Sequence, residues 1–255
     1  MKHFLSPPKL ALLLFSAVSL LSSELANAMS VTPIVLDMQD SGGKAKSVLR
    51  VSNDAATAMQ VEIKISRLEL DENGKSTTVG ADRDFVIFPP VATIAPGGSQ
   101  AFRVQWAGAP RLEKSQGYIL SVNQLPVKFP NAQSGMQLLV NFAVVANVDP
   151  VGATATIDLV SAGIGRDEAG TARPQLVVQN NGNKHASLAD ASVTLASGKW
   201  TQTLRGPDLR QMLGVALIQP RKRRKFTIPV PLPAGTTALT ARIDYQPLPT
   251  SSVSK

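Results

Sequence analysis

Short runs of alternating apolar and polar residues, each followed by turn residues, constrain the fold of this chain most strongly. The run Met59–Leu70, for example, is followed by Asp71-Glu72-Asn73-Gly74, a sequence that favours a hairpin turn. An alternation with a period of two is typical of β-strands. Because such runs recur roughly every ten residues with turn signals between them, the sequence predicts β-sandwiches rather than alternating βαβ units.

A break in this pattern at Asp149-Pro150-Val151-Gly152 divides the chain into two parts. We therefore expect an all-β chain of two immunoglobulin-like β-sandwich domains in tandem, at residues 29–148 and 152–247. Residues 248–255 are expected to form a polar tail. Within the first domain, Pro89-Pro90 directly follows residues 85–88 and predicts that this run is an edge strand, since proline cannot donate to a sheet.

The first 28 residues have the features of a secretory signal peptide. Lys2 and Lys9 supply a positive start, residues 10–21 are apolar, and Ala26-Asn27-Ala28 is a small-residue cleavage site. We therefore expect residues 1–28 to be removed and the protein to work outside the cytoplasm. The chain has no cysteine, so disulfides cannot stabilise it there.

The sequence offers little catalytic chemistry. Without cysteine, thiol nucleophiles and thiolate zinc sites are excluded, and His185 is the single histidine after residue 28. No G-x-S-x-G elbow or phosphate-binding glycine loop is present, and His185 is predicted to be a surface turn residue. The net charge of +8 is spread along the chain rather than interleaved with aromatic residues. We expect no enzyme activity, cofactor, metal, nucleotide or nucleic-acid partner.

A dense basic run precedes one of the strands in the second domain. Two interpretations remain open for it, a solvated loop and a docking patch for an acidic partner. The run consists of Arg221, Lys222, Arg223, Arg224 and Lys225.

The run at residues 136–145 is long, β-prone and free of charge. One parity of this run is wholly apolar and the other is mixed, which is the pattern of a strand rather than of a helix. Such a strand is either buried core or, at a sheet edge, a template that pairs with another chain. The apolar stripe consists of Met136, Leu138, Val140, Phe142 and Val144.

Five segments of this sequence, in order, resemble those of the PapD-like periplasmic chaperones of pilus assembly, the chaperone–usher family. The most specific is residues 88–104, FPPVATIAPGGSQAFRV. The others are Ser30-Val31-Thr32-Pro33 and residues 50–53, 118–126 and 136–145. The resemblance implies a boomerang-shaped pair of sandwiches with a cleft between them. It also implies a periplasmic chaperone that caps pilus or fimbrial subunits by donor-strand complementation, with residues 136–145 as the donor strand, and delivers them to an outer-membrane usher. An exposed donor edge also favours self-association of the free protein.

The chain departs from the family at the two cations that hold the subunit's terminal carboxylate. The arginine of the first strand is replaced by Ile34 or Val35, and the lysine late in the donor strand by Val145. This loss resembles the divergent archaic or alternative branch. Arg103 is the first candidate for a replacement anchor, since a guanidinium binds a carboxylate bidentately, and Lys128 is the second.

A second class of function stays open from the sequence. The same pattern is compatible with a secreted structural or adhesive β-sandwich, such as a pilus subunit or a carbohydrate-binding module. A pilus subunit would have one sandwich with a donor segment near its N-terminus, and a carbohydrate module would display exposed aromatic residues.

Overall fold

The computed structural model describes residues 29–126 and 139–246. Predicted segments and residues outside these ranges are the signal peptide, the polar tail, and Lys128, Met136 and Leu138. The strands are β1 Ser30–Thr32, β2 Val35–Gln39, β3 Lys46–Ser52, β4 Met59–Leu70, β5 Ser76–Gly80, β6 Phe85–Phe88, β7 Val91–Ile94, β8 Ser99–Trp106, β9 Gln116–Leu125, β10 Asn141–Asp149, β11 Ile157–Arg166, β12 Ala172–Asn180, β13 Ala186–Ser187, β14 Ala191–Ser197, β15 Trp200–Leu204, β16 Leu217–Ile218, β17 Arg223–Thr227 and β18 Thr240–Tyr245, and the α-helix among them is α1 Gly206–Leu213.

Two sheets form the first half of the chain. The back sheet has the strand order β1-β3-β8-β6, and the front sheet has the order β2-β10-β9-β4-β5, with β7 also paired to β4. Strand β6 lies at an edge of the back sheet, which confirms the prediction from Pro89-Pro90. Strand β4 coincides with the predicted run Met59–Leu70.

The first strand of the chain changes sheets. Strand β1 pairs antiparallel with β3 in the back sheet, whereas β2, two residues further on, pairs parallel with β10 in the front sheet. Pro33 lies at this change of direction, where it has no N–H to lose from a ladder. The chain therefore closes one side of the sandwich with a single, divided strand.

Each half of the chain has its own apolar core. The first core contains fully buried side chains from both sheets, among them Leu49, Phe102, Leu120 and Val144. The second core lies among the sheets β11-β12-β17, β13-β16 and β15-β14-β18 and contains Leu176, Val193 and Ile228. No helix in residues 29–126 and 139–246 is long and apolar enough to cross a membrane.

A buried asparagine lies at the end of a strand in each half: Asn53 directly after β3 and Asn180 as the last residue of β12. The amide nitrogen of Asn53 donates to the carbonyl oxygens of Thr57 and Ile94, at 2.8 and 3.0 Å. The amide nitrogen of Asn180 donates in the same way to Lys184 and Ile218, at 2.8 and 3.1 Å. Both side chains are fully buried. Each therefore satisfies backbone oxygens that the turn removes from the sheets.

We expect Asn53→Ala to lower the free energy of unfolding by about 1–3 kcal/mol, because buried backbone oxygens lose their donor. Asn181→Ala is the control, since Asn181 is exposed and its one side-chain bond joins Asp158. The control should change stability by less than about 0.5 kcal/mol. Urea unfolding measures both, and an equal loss in the two variants would contradict this role of Asn53.

Candidate functional site

One edge of the front sheet is open over half of a strand. Strand β10 pairs with β9 along residues 141–148, but β2 joins its other side only from Val145 onward. The N–H of Val145 donates to the carbonyl of Ile34 at 3.0 Å. Because alternate residues aim their backbone groups at the same edge, the N–H and C=O groups of Asn141 and Ala143 face the open side. No strand of the described residues pairs with them there.

The predicted apolar stripe lies on the inner face of this strand. Val144 is fully buried in the first core, and Val140 and Phe142 are partly buried against it. Val144 is thus part of the protein's own sandwich, whereas Val140 and Phe142 lie at its margin. Met136 and Leu138 lie outside the described residues.

The surroundings of the open edge are apolar rather than charged. Val35 and Val145 are directly opposite one another in the parallel ladder. Ile34 is 62% exposed and Leu139 is 40% exposed. This edge therefore combines unpaired backbone groups with exposed apolar side chains, which is the arrangement that another β-strand can cover.

The structure does not bring Arg103 to this edge. Arg103 lies in β8, in the middle of the back sheet, where it is opposite Val48 on one side and Phe88 on the other. Its side chain is exposed on the outer face, because its neighbours Phe102 and Val104 fill the core. This position argues against Arg103 as an anchor for a chain bound at β10. Lys128 stays a prediction, since it lies outside the described residues.

His185 is not a surface turn residue, and that prediction is wrong. Its ring lies between two carboxylates of the first domain: Nδ1 is 2.7 Å from Asp149 Oδ1, and Nε2 is 3.1 Å from Asp37 Oδ1. The side chain of His185 is 12% exposed. Ser115 joins this cluster. Its hydroxyl donates to Asp149 and accepts from the backbone N–H of His185 at 3.0 Å. The turn that was expected to be solvated is therefore packed against the first domain.

These contacts change the proton affinity of the histidine. Burial alone would lower the pKa of His185, but the hydrogen bonds and charges of Asp149 and Asp37 outweigh burial and raise it to about 9. Burial would likewise raise the pKa of Asp37, but the hydrogen bonds from His185 and Asn147 and the charges of His185 and Lys184 together outweigh burial, so this pKa is lowered. Lys184 adds a second cation, 3.6 Å from Asp149. The cluster holds β2 and the end of β10 against the second domain as an ion pair.

We expect the stabilisation by His185 to disappear as the pH rises. The pKa of His185 is about 9 in the folded protein and about 6.5 in the unfolded chain. The protonated ring therefore stabilises the fold fully below pH 6.5, and this stabilisation is lost as the pH rises through 9. Relative to His185→Gln, the wild-type protein should lose about 2–3 kcal/mol across this range. Urea unfolding at steps from pH 6 to 9.5 measures the difference, and parallel pH profiles would show that the ion pair is absent in solution.

The basic run at residues 221–225 forms a second contact between the domains. Lys222 pairs with Glu69, and the side chain of Lys225 donates to Asn73 Oδ1 at 3.0 Å. The N–H of Lys225 also donates to the carbonyl of Glu72, at 2.7 Å. These partners belong to the end of β4 and the turn after it. Lys222, Arg224 and Lys225 are thus engaged within the chain, while Arg221 and Arg223 are exposed. The docking patch, one of the two open interpretations, stays a prediction.

Arg224 passes directly under the turn that Gly74 makes. Gly74 has a φ of +86°, and a Cβ built on it would lie 1.4 Å from Arg224 Nη1. The guanidinium is partly buried and lies 5.3 Å from the ring centre of Phe226. Burial lowers the pKa of Arg224, and the charge of Asp71 partly offsets this. The turn therefore needs glycine for its backbone, and a side chain at this position would displace the guanidinium of Arg224.

We expect Gly74→Ala to destabilise the protein more than Gly42→Ala does. Both glycines have positive φ, so both variants carry a backbone cost of about 1 kcal/mol, but a Cβ at Gly42 meets nothing within 4 Å. The excess at Gly74 reports the displacement of Arg224 and should shrink when Arg224→Ala is added. The measurement is thermal unfolding of Gly74→Ala, Gly42→Ala, Arg224→Ala and the double variant Gly74→Ala/Arg224→Ala. Equal losses at the two glycines would place Arg224 elsewhere in solution.

Sequence reasoning missed the residues that join the two domains. Besides His185, Gln219 bridges them, donating to the Leu68 carbonyl at 2.8 Å and accepting from the Leu70 N–H at 2.9 Å. A single histidine and an asparagine-rich turn were visible signals. Their partners are far away in the sequence, so nothing local identifies them.

Comparison with protein families gives one match over the first domain. Residues 28–148 match the family described as pili and flagellar-assembly chaperone, PapD N-terminal domain. A comparison with curated protein sequences gives no match.

Solved structures resemble the chain over most of its length. The YadV chaperone is 13% identical, with a TM-score of 0.54 over 85% of this chain and 92% of that one. The class 5 fimbriae chaperone CfaA is 13% identical, with a TM-score of 0.52 over 86% and 100%. A chain of the Salmonella enterica SafA pilin complex with the SafB chaperone is 12% identical, with a TM-score of 0.51 over 79% and 84%. At these identities the likeness concerns the fold, and it confirms the predicted all-β, two-domain architecture.

The family match rests on the domain that carries the open edge. The structural matches extend the same architecture across the second domain. This family consists of assembly chaperones, which confirms the prediction that the chain is not an enzyme. The first domain, residues 28–148, thus matches the PapD N-terminal domain of pili and flagellar-assembly chaperones, and the fold of the whole chain is similar to those of solved fimbrial chaperones.

Proposed function

We propose that this protein is a periplasmic chaperone that captures pilus or fimbrial subunits by donor-strand complementation at the open edge of β10. The observation that carries the proposal is the pairing gap opposite residues 141–144, where β9 binds one side of the strand and β2 has not yet joined the other. The SafA–SafB structure, which has a similar fold, pairs a pilin with a chaperone.

The backbone of the open edge supplies the first part of the interaction. A subunit that lacks a strand would pair with the outward N–H and C=O groups of Asn141 and Ala143. Pairing would end where β2 takes over at Val145. The divided first strand thus defines how far the subunit strand can extend along β10.

The apolar stripe supplies the second part. Met136, Leu138, Val140 and Phe142 would enter the subunit's hydrophobic groove, while Val144 anchors the strand in the chaperone's own core. Burial of each large side chain contributes about 1.5–3 kcal/mol, or about 8 kcal/mol for four before the costs of ordering and association. A slip by one residue would present Leu139, Asn141 and Ala143 instead, so the stripe also specifies the register.

Export and delivery complete the proposal. Cleavage after Ala28 would release the mature chain into the periplasm, and the captured subunit would pass to an outer-membrane usher. Because the positions of the family's cations are occupied by apolar residues, the subunit carboxylate needs another partner. Lys128, close in sequence to the donor strand, is the remaining candidate from the sequence.

We expect Val140→Arg and Leu138→Arg to abolish subunit capture while the chaperone stays folded, because a charge cannot enter the groove. Asn141→Arg is the matched control, since its exposed side chain has the opposite parity and only its backbone would pair with the subunit. The assay is co-expression with each pilin-like protein encoded nearby, followed by pull-down and by thermal unfolding of the free chaperone. Unfolding of Val140→Arg would show that the stripe is core only. Discovery of the protein itself assembled on the cell surface would favour a structural sandwich instead.

A further inference from the structure

The outer face of the back sheet is basic and apolar and has no carboxylate. Its strands, β1, β3, β8 and β6, contain no aspartate or glutamate. Four cross-strand rows form the face, and the registers of β1, β3, β8 and β6 define them. One row is all serine (Ser30, Ser52 and Ser99), and the other three carry the cations. These three rows are Thr32, Arg50 and Ala101; Val48, Arg103 and Phe88; and Lys46, Gln105 and Val86.

The apolar members of this face are unusually exposed. Phe88 is 66% exposed, Val86 is 56% and Val48 is 50%. They are not scattered, since Val48 and Phe88 flank Arg103 in the central row and Val86 is in the next row. Exposed apolar side chains on both sides of an arginine are a composition that protein interfaces favour at their centre.

The cations of the face are free to bind another molecule. Among residues 29–126 and 139–246, Lys46, Arg50 and Arg103 have no carboxylate partner, and Arg50 donates only to the Ser99 hydroxyl, at 3.1 Å. Solvent-exposed cations without partners attract acidic groups and set the orientation of docking.

We propose that this face, which we call the basic face, docks a partner protein whose contacting segment carries carboxylates beside apolar side chains. A second copy of the chain fits poorly, because a symmetric contact would place the same cations against each other. A lipid surface also fits poorly, because Arg103 lies between Val48 and Phe88. Insertion of these apolar side chains would therefore carry a guanidinium into hydrocarbon.

The basic face is separate from the subunit site. Subunit capture uses the edge of β10 in the front sheet, whereas the basic face covers the opposite sheet. The protein can therefore hold a subunit and a second partner at the same time. This inference goes beyond the proposed function and does not depend on it.

Photo-crosslinking in the cells that produce the protein tests the proposal. The full chain carries p-benzoylphenylalanine in place of Phe88, and a control chain carries it in place of Val79, which is 73% exposed on β5. We expect an adduct with one protein at position 88 and none at position 79. Mass spectrometry of the adduct should identify a segment with aspartate or glutamate next to apolar residues.

Charge reversal supplies the second arm of the test. Arg103→Glu should lower the yield of the adduct about tenfold, because the partner's carboxylates are then repelled, whereas Lys199→Glu, in an exposed turn of the second domain, should leave it unchanged. Arg103→Glu should also retain normal thermal stability and subunit capture. No adduct, an adduct with a second copy or with lipid alone, a segment without carboxylates, or equal yields from the two charge variants would overturn the proposal. Loss of subunit capture in Arg103→Glu would overturn the separation of the two sites.

Discussion

The pairing of β2 with β10 begins only at Val145, and the open edge of the front sheet depends on this late start. Strand β1 pairs in the back sheet, and after Pro33 strand β2 pairs in the front sheet. Had one continuous strand covered β10, this side of β10 would be fully paired. Because the strand is divided, the outward groups of Asn141 and Ala143 have no partner strand among the described residues. The same division leaves Val140 and Phe142 at the margin of the core rather than inside it.

The two contacts between the domains hold the far end of this strand. Asp149 is the last residue of β10, and it binds His185 of the second domain. Gln219 and Lys222 bind the opposite side of the front sheet, near the end of β4. An open edge has little pairing to stabilise it, so fixing the closed end of β10 limits the freedom of the open end. In the proposed function, the second domain thereby contributes to subunit capture without contacting the subunit strand.

Much of the fold could be predicted from alternation and turn residues alone. Strand β4 matches the run Met59–Leu70, and Pro89-Pro90 identified β6 as an edge strand, because both signals are local. The role of His185 could not be predicted, since its two carboxylates come from residues 37 and 149. The partners of the basic run could not be predicted for the same reason, since Glu69 and Asn73 bind it across the domain boundary. The position of Arg103 could not be predicted either. Its sequence motif is specific, but the alternation of apolar and polar residues does not show to which sheet a strand belongs.

Amide hydrogen exchange of the donor strand, with and without a bound subunit, tests the central claim most directly. In the free protein the N–H groups of Asn141 and Ala143 should exchange fast, whereas those of Phe142 and Val144 should already be protected by β9. Subunit binding should protect Asn141 and Ala143 selectively, because only their groups face the open edge. Protection of all four in the free protein, or no change at Asn141 and Ala143 on binding, would contradict donor-strand pairing at this edge.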